Sequence, residues 1–174
     1  MNSKRLTPTP RSLPMRPFSE SLPMALLRAR EAVMRLFRPE LRSRGLTEQQ
    51  WRILRALAHQ GPMEVTELAE STFLLAPSLS RILPDLEKRG LVGRRQVDTD
   101  LRRSVMRLEP EGLRLIGEHA PYSEGMYARI AKRFGPDKLR ELLRLLHELE
   151  SSLGELSREL DRGATRARRR EPSP

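Results

Sequence analysis

The side chains with the greatest chemical capacity crowd into one stretch. Between positions 88 and 107, Lys88, Arg89, Arg94, Arg95, Arg102, Arg103 and Arg107 are opposed only by Asp98 and Asp100, a net charge of +5. Guanidinium and ammonium groups in this density do not act as bases or nucleophiles at neutral pH. They bind polyanions, and the phosphate backbone of a nucleic acid needs a concentrated cationic footprint of this kind. The preceding stretch, residues 47–87, is acidic at a net −3, so the basic surface begins abruptly. Charge alone would also fit a solvated hairpin; the order of elements around it has to decide.

Other chemistries find little support. Histidine occurs only at positions 59, 119 and 147 and cysteine not at all, so no spacing matches a metal-ligand motif, and disulfides and thiolate catalysis are excluded. There is no glycine-rich phosphate loop and no nucleophile motif. An enzyme, a metal site and a cofactor are therefore not expected. The lack of cysteine fits a reducing cytoplasm, and no apolar run approaches the ~18 residues needed to span a bilayer. The whole chain of 174 residues carries +10, much of it at the ends, in Lys4, Arg5, Arg11, Arg16, Arg166, Arg168, Arg169 and Arg170.

The elements that must position the basic stretch follow from periodicity. Residues 1–18 are proline-rich and basic and read as a disordered tail, as do 163–174. A first helix is expected from about Ser19 to Arg44, with Leu22, Leu26, Ala29, Val33, Leu36, Phe37 and Leu41 on one face, Gly45 as its stop and Pro39 bending or interrupting it. Thr47 and Gln50 have capping-box spacing. The helix behind them should bury Trp51, Ile53, Leu54, Leu57 and Ala58 and end at Gly61-Pro62. A short helix from Thr66 to about Ser71 follows, then one starting near Pro77 with Leu79, Ile82, Leu83 and Leu86 inward, a kink at Pro84 and a stop at Gly90. Leu91–Val97 and Ser104–Leu108 read as strands around a polar loop, 98–103. Two further helices from Pro110 divide at Gly135-Pro136.

Helix, short helix, helix, charged hairpin is the order of a winged helix-turn-helix, whose third helix enters the major groove of DNA. The expected fold class is mainly α with a small β-hairpin wing. Its parts are a first dimerisation helix over 19–46, a DNA-binding domain over 47–109 and C-terminal dimerisation helices over 110–162. Ser78, Ser80 and Arg81 fall in the first turns of the third helix, within reach of base edges, and arginine can bridge guanine bidentately. Arg94 and Arg95 add cationic charge on the first strand, and Arg102 and Arg103 can enter a narrow minor groove.

Leu139, Leu142, Leu146, Leu149, Leu153, Leu156 and Leu160 keep strict 3–4 spacing and form a seam that needs another helix. With Leu22 of the first helix they are the candidate homodimer contacts; packing within the chain is the alternative. Arg30 falls inside the apolar arc of the first helix, where its charge needs a partner: an acid of the same or a partner chain, or the carboxylate of a ligand. His119, Tyr122 and Met126 recur at helical spacing and can line an aromatic pocket, although such stripes also form ordinary core. Trp51 is a further candidate wall, or packing.

The segments LTEQQWRILRAL, PSLSRILPDLEKRGLV and DTDLRRSV resemble the MarR family of dimeric repressors, and the resemblance spans about residues 19–160. It implies a homodimer paired through its first and last helices, reading palindromic double-stranded DNA with two winged domains. The family's Asp-x-Arg-Asp wing pattern is not kept: Asp98-Thr99-Asp100 lacks the arginine, so that residue's contact is not carried over. Within the family the chain is similar to regulators of aromatic-acid catabolic operons, those for homoprotocatechuate and nicotinate degradation among them. That implies a small aromatic carboxylate, such as a hydroxynicotinate or hydroxyphenylacetate, as the releasing ligand. A ligand-independent DNA-binding regulator and a helical protein-binding adaptor are the competing functions.

Overall fold

The computed structural model describes residues 16–97 and 100–168, without the side chains of 97, 100–103 and 163–168. A single 3-10 turn precedes α1 (Leu22–Ser43), followed by α2 (Glu48–Gln60), β1 (Met63–Glu64), α3 (Val65–Thr72) and α4 (Ala76–Lys88). Then come β2 (Val92–Val97), β3 (Asp100–Leu108), α5 (Pro110–Phe134) and α6 (Pro136–Arg168). This is the mainly helical winged architecture expected. The chain divides into two compact units at Ala120/Pro121.

The core of the first unit is aliphatic. Leu41, Leu46, Ile53, Leu54, Leu57, Leu68, Leu79, Leu83, Leu86, Leu91, Val92 and Met106 pack as one cluster, reached by Leu115 and Ile116 of α5. Burial of this apolar area is what draws helices of modest intrinsic stability together. The start of α2 is set by its capping box: the Thr47 N–H donates to Gln50 Oε1 at 2.8 Å and the Gln50 N–H to Thr47 Oγ1 at 3.2 Å. Gly45 (φ 64°) ends the α1 turn in the left-handed region that favours glycine. Trp51 is only half-buried and Ala58 is exposed, so α2 turns Ala56 rather than Ala58 toward the cluster.

Four features differ from expectation. Pro39 lies inside α1 without interrupting it, and Pro84 lies inside α4; each forgoes the one backbone bond that its missing N–H would make, and the helix continues past it. A third strand is present, β1, which pairs antiparallel with β3 in the order β1-β3-β2. The expected loop 98–103 is shorter, because β3 already starts at Asp100 and an irregularity between Gln96 and Val97 absorbs the change in register. Finally α6 runs to Arg168, past the expected end at 162, since nothing between Gly163 and Arg168 breaks a helix begun so strongly. Residues 1–15 and 169–174 of the two expected tails lie outside the described residues.

The second unit comprises the end of α5 and all of α6. Leu139, Leu146 and Leu149 are half-buried, while Leu142, Leu153 and Leu156 are 41–49% exposed. The opposite face is zipped by ion pairs of Arg144 with Glu141 (2.8 Å) and Glu148 (2.7 Å). Leu22, Leu26, Val33 and Leu36 of α1 are similarly exposed, whereas Phe37 and Leu41 at its far end enter the core of the first unit.

Gly112, in the first turn of α5, is tightly enclosed: a Cβ there would stand 2.2 Å from the Leu91 carbonyl oxygen and 2.8 Å from Leu108 Cδ1. Replacing a helical glycine by alanine ordinarily stabilises. Gly112→Ala should instead destabilise by roughly 1–3 kcal/mol, the cost of overpacking, while Gly117→Ala, whose Cβ meets nothing within 4 Å, should stabilise. Urea unfolding of the two variants checks the pair of signs.

Candidate nucleic-acid interface and effector cleft

The candidate DNA-reading helix is α4. Leu79, Leu83 and Leu86 anchor its inner face, leaving Ala76, Pro77, Ser80, Arg81 and Pro84 exposed on the other. Ser78 is half-buried; the Ser80 hydroxyl donates to the Ala76 carbonyl at 3.1 Å. Of the candidate base readers, Arg81 therefore projects the exposed cation. The hairpin of β2 and β3 rises beside it. Arg94 is partly engaged, donating to Glu87 at the end of α4 (2.9 Å) and to Ser104 Oγ on β3 (3.4 Å). It ties the wing to the helix as well as contributing charge. Arg95 and Arg107 are exposed. Arg102 and Arg103 fall on β3 rather than in a loop, with side chains outside the described residues.

One arginine and an amide hold the other end of α4 in place. Arg89 donates to the carbonyl oxygens of Gly45 (2.9 Å) and Arg44 (3.4 Å), placing a cation on the C-terminus of α1, where the helix dipole favours it. Arg44 in turn donates to the Glu118 carbonyl of α5 (3.1 Å) and pairs with Glu40 (2.8 Å). Gln50, already closing the cap of α2, donates its Nε2 to Asp85 of α4 at 2.8 Å.

Near that cap lies a cleft of about 360 Å³ lined by Arg30, Arg38, Leu41, Arg42, Leu46, Thr47, Glu48 and Gln49. Arg30 reaches it and pairs with Glu31 (2.8 Å) and Glu48 (2.5 Å). Arg38 pairs with Glu31 (2.5 Å) and also with Glu48. Burial pulls the Glu48 carboxyl upward, but hydrogen bonds from Arg38 and Arg30 outweigh it and hold the group below the usual carboxylate range. Arg30 thus finds an acid of its own chain, the possibility that its position on the helix left open. Its side chain remains 43% exposed.

The other candidate ligand residues lie elsewhere. Trp51 meets His119 edge to face, with ring centroids 4.3 Å apart at 64°. His119 is fully buried, and neither residue lines the cleft. Tyr122 and Met126, both half-buried, belong to the second unit. Glu48 and Arg38 were missed from sequence; the signal for them was a charged pair beside a capping box. Arg52, also missed, donates to the Thr72 carbonyl at 2.8 Å and fixes the turn between α3 and α4.

A helix-turn-helix with its outer helix face open, flanked by a basic hairpin, defines a winged-helix DNA-binding protein. Residues 46–104 match the model of the MarR family. The chain is 40% identical over 136 residues to the HTH-type transcriptional regulator FarR of Neisseria gonorrhoeae, covering 76% of this chain and 93% of that protein. It is 41% identical over 129 residues to the homoprotocatechuate degradative operon repressor of Escherichia coli, covering 74% and 87%. The crystal structure of NadR in complex with 4-hydroxyphenylacetate matches at a TM-score of 0.69 and 39% identity, over 79% of this chain and 97% of that one. The chain belongs to the MarR family of transcriptional regulators and is a DNA-binding regulator, not an enzyme. Among the described residues, no helix is long and apolar enough to cross a membrane.

Burial lowers the pKa of His119 below its ordinary value, with Arg44 and Arg55 adding repulsion against a weaker opposing pull from Glu40. The folded protein therefore holds a neutral imidazole where the unfolded chain would bind a proton. Stability from this group is present above about pH 6.5 and declines as pH falls from there toward the folded-state pKa. Chemical denaturation between pH 7.5 and 5.5 should show that slope, and His119→Gln should flatten it. An unchanged slope in the variant would place the titration elsewhere.

Proposed function

We propose that the protein is a homodimeric repressor, acting on chromosomal DNA in the cytoplasm, that a small aromatic carboxylate releases from its operator. The observation that carries the effector reading is the cleft between α1 and the start of α2. Two guanidinium groups there share two glutamates, while the adjoining Gln50 holds α4 through Asp85. An incoming carboxylate can displace Glu31 from Nη1 and Glu48 from Nη2 of Arg30 and take both donors in a bidentate pair. Its ring would rest on Leu41 and Leu46 at the base of the cleft. Seated between Arg30 and Glu48, the acid would push the first turn of α2 away from α1, and the link to α4 would shift with it; loss of Arg30 alone leaves Glu48 held by Arg38.

The relatives support the ligand class. One represses a homoprotocatechuate degradation operon, and another was crystallised with 4-hydroxyphenylacetate. The energetic demand is modest: a tenfold preference of the acid for the DNA-incompetent conformation corresponds to about 1.4 kcal/mol, and a complete switch requires more. Arg30→Ala should retain operator affinity and resist release by 4-hydroxyphenylacetate in a mobility-shift titration. Calorimetry showing wild-type affinity for the acid in that variant would make Arg30 purely structural.

The dimer reading rests on the leucines of α1 and α6. Apolar stripes this long and this exposed are costly in a monomer and are characteristic of interfaces. Replacing both Leu146 and Leu153 by lysine should weaken self-association and DNA binding together. An intact dimer by sedimentation would move the interface elsewhere. Two winged domains related by a twofold axis would read a pseudo-palindrome with half-sites about one helical turn, ~10 bp, apart or a near multiple.

A further inference from the structure

The turn between α3 and α4 holds two large apolar side chains in solvent. Phe73 is 80% exposed and Leu75 76% exposed, while Leu74 between them packs against the core. This is not a loose loop. The α3 helix ends in a hydrogen-bonded reversal, with the Leu74 N–H donating to the Ala69 carbonyl (3.1 Å) and the Phe73 N–H to that of Glu70 (3.2 Å). Arg52 fixes the adjoining Thr72 carbonyl from α2, and the Thr72 hydroxyl donates back to Leu68 at 2.5 Å. The position that reverses the chain is usually glycine. Here it is Phe73, at φ 52°, in the left-handed region that disfavours a side chain. A phenylalanine in that conformation gains nothing for the fold, because its ring touches solvent rather than the core.

We infer that Phe73 and Leu75 are a DNA-reading apolar contact that packs on thymine methyl groups at the edge of each half-site. The placement favours this partner. Leu75 is the N-cap of α4, its carbonyl accepting the Ser78 and Leu79 N–H groups. The pair is thus continuous with the open face of Ala76, Pro77, Ser80 and Arg81. A helix entering the major groove brings the turn before it to the groove wall, where the thymine C5-methyl is the apolar feature that distinguishes bases. Arg81 can bridge guanine; Phe73 and Leu75 would add preference for thymine beside it. The inference rests on α4 entering the major groove.

Replacing thymine by uracil in the operator, position by position, removes single methyl groups. Wild-type protein should lose about three- to fourfold in affinity at one or two thymines per half-site, the scale of one buried methyl group. Phe73→Asn, whose residue tolerates the left-handed conformation, should raise or preserve the unfolding temperature, bind the operator more weakly, and be indifferent to uracil at those thymines. Leu75→Ser, which supplies a good N-cap, tests the same point should Phe73→Asn fold poorly. Wild-type binding without uracil sensitivity would overturn this inference alone. So would variants that keep full sensitivity, as expected if the two side chains met another protein. Wild-type protein that bound no duplex would overturn the placement of α4 as well.

Discussion

The side-chain amide of Gln50 joins the two halves of the molecule's business. Its oxygen closes the cap of α2 on the Thr47 N–H, and its nitrogen donates to Asp85 on α4. Two residues before it, Glu48 is gripped by Arg30 and Arg38 of α1. One helical turn therefore carries the α2 start, the charged network of the cleft and a tether on α4, the candidate DNA-reading helix. An amide can satisfy both groups at once because it is donor and acceptor in a fixed geometry. Arg89 provides a second tether, from the end of α4 to the carbonyls that close α1. Movement of α1 against α2 has two hydrogen-bonded routes to α4.

Around this turn the aliphatic cluster supplies rigidity. Leu79, Leu83 and Leu86 root α4 in the core, and β1, β2 and β3 brace the wing against it. The cations are distributed with distinct duties. Arg44, Arg52 and Arg89 satisfy backbone carbonyls at helix ends, whereas Arg81 is exposed on the outer face of α4 and Arg107, exposed on β3, pairs with Glu109 at 3.0 Å. A net charge could not make that distinction; hydrogen-bond partners do.

Much of the fold was legible in the sequence because its signals are local. Thr47-Glu48-Gln49-Gln50 declares a capping box, Gly45, Gly61, Gly90 and Gly135 each adopt positive φ at a helix boundary, and 3–4 leucine spacing outlines α6. What escaped depends on contacts between distant residues. β1 is two residues long and exists only because Met63 and Glu64 find Met106 and Val105. Gly112 looks like any helical glycine until the Leu91 carbonyl is placed against it. The site was less legible than the fold. Arg30 was recognised as a charge in need of a partner, but Glu48 lies 18 residues away on another helix. His119 and Trp51 lie 68 positions apart, on α5 and α2, and only the fold brings their rings edge to face.

The proposed release requires the cleft and α4 to be coupled chiefly through Gln50, which shares a helical turn with Glu48. Gln50→Glu retains the acceptor that the capping box needs and removes the donor to Asp85, placing two carboxylates together instead. The decisive measurement is operator affinity with and without 4-hydroxyphenylacetate, in wild type and in this variant, at one salt concentration. The coupling predicts that the acid weakens wild-type binding at least tenfold but changes the variant's affinity much less, although the variant still binds the acid. Equal weakening in both proteins would contradict it.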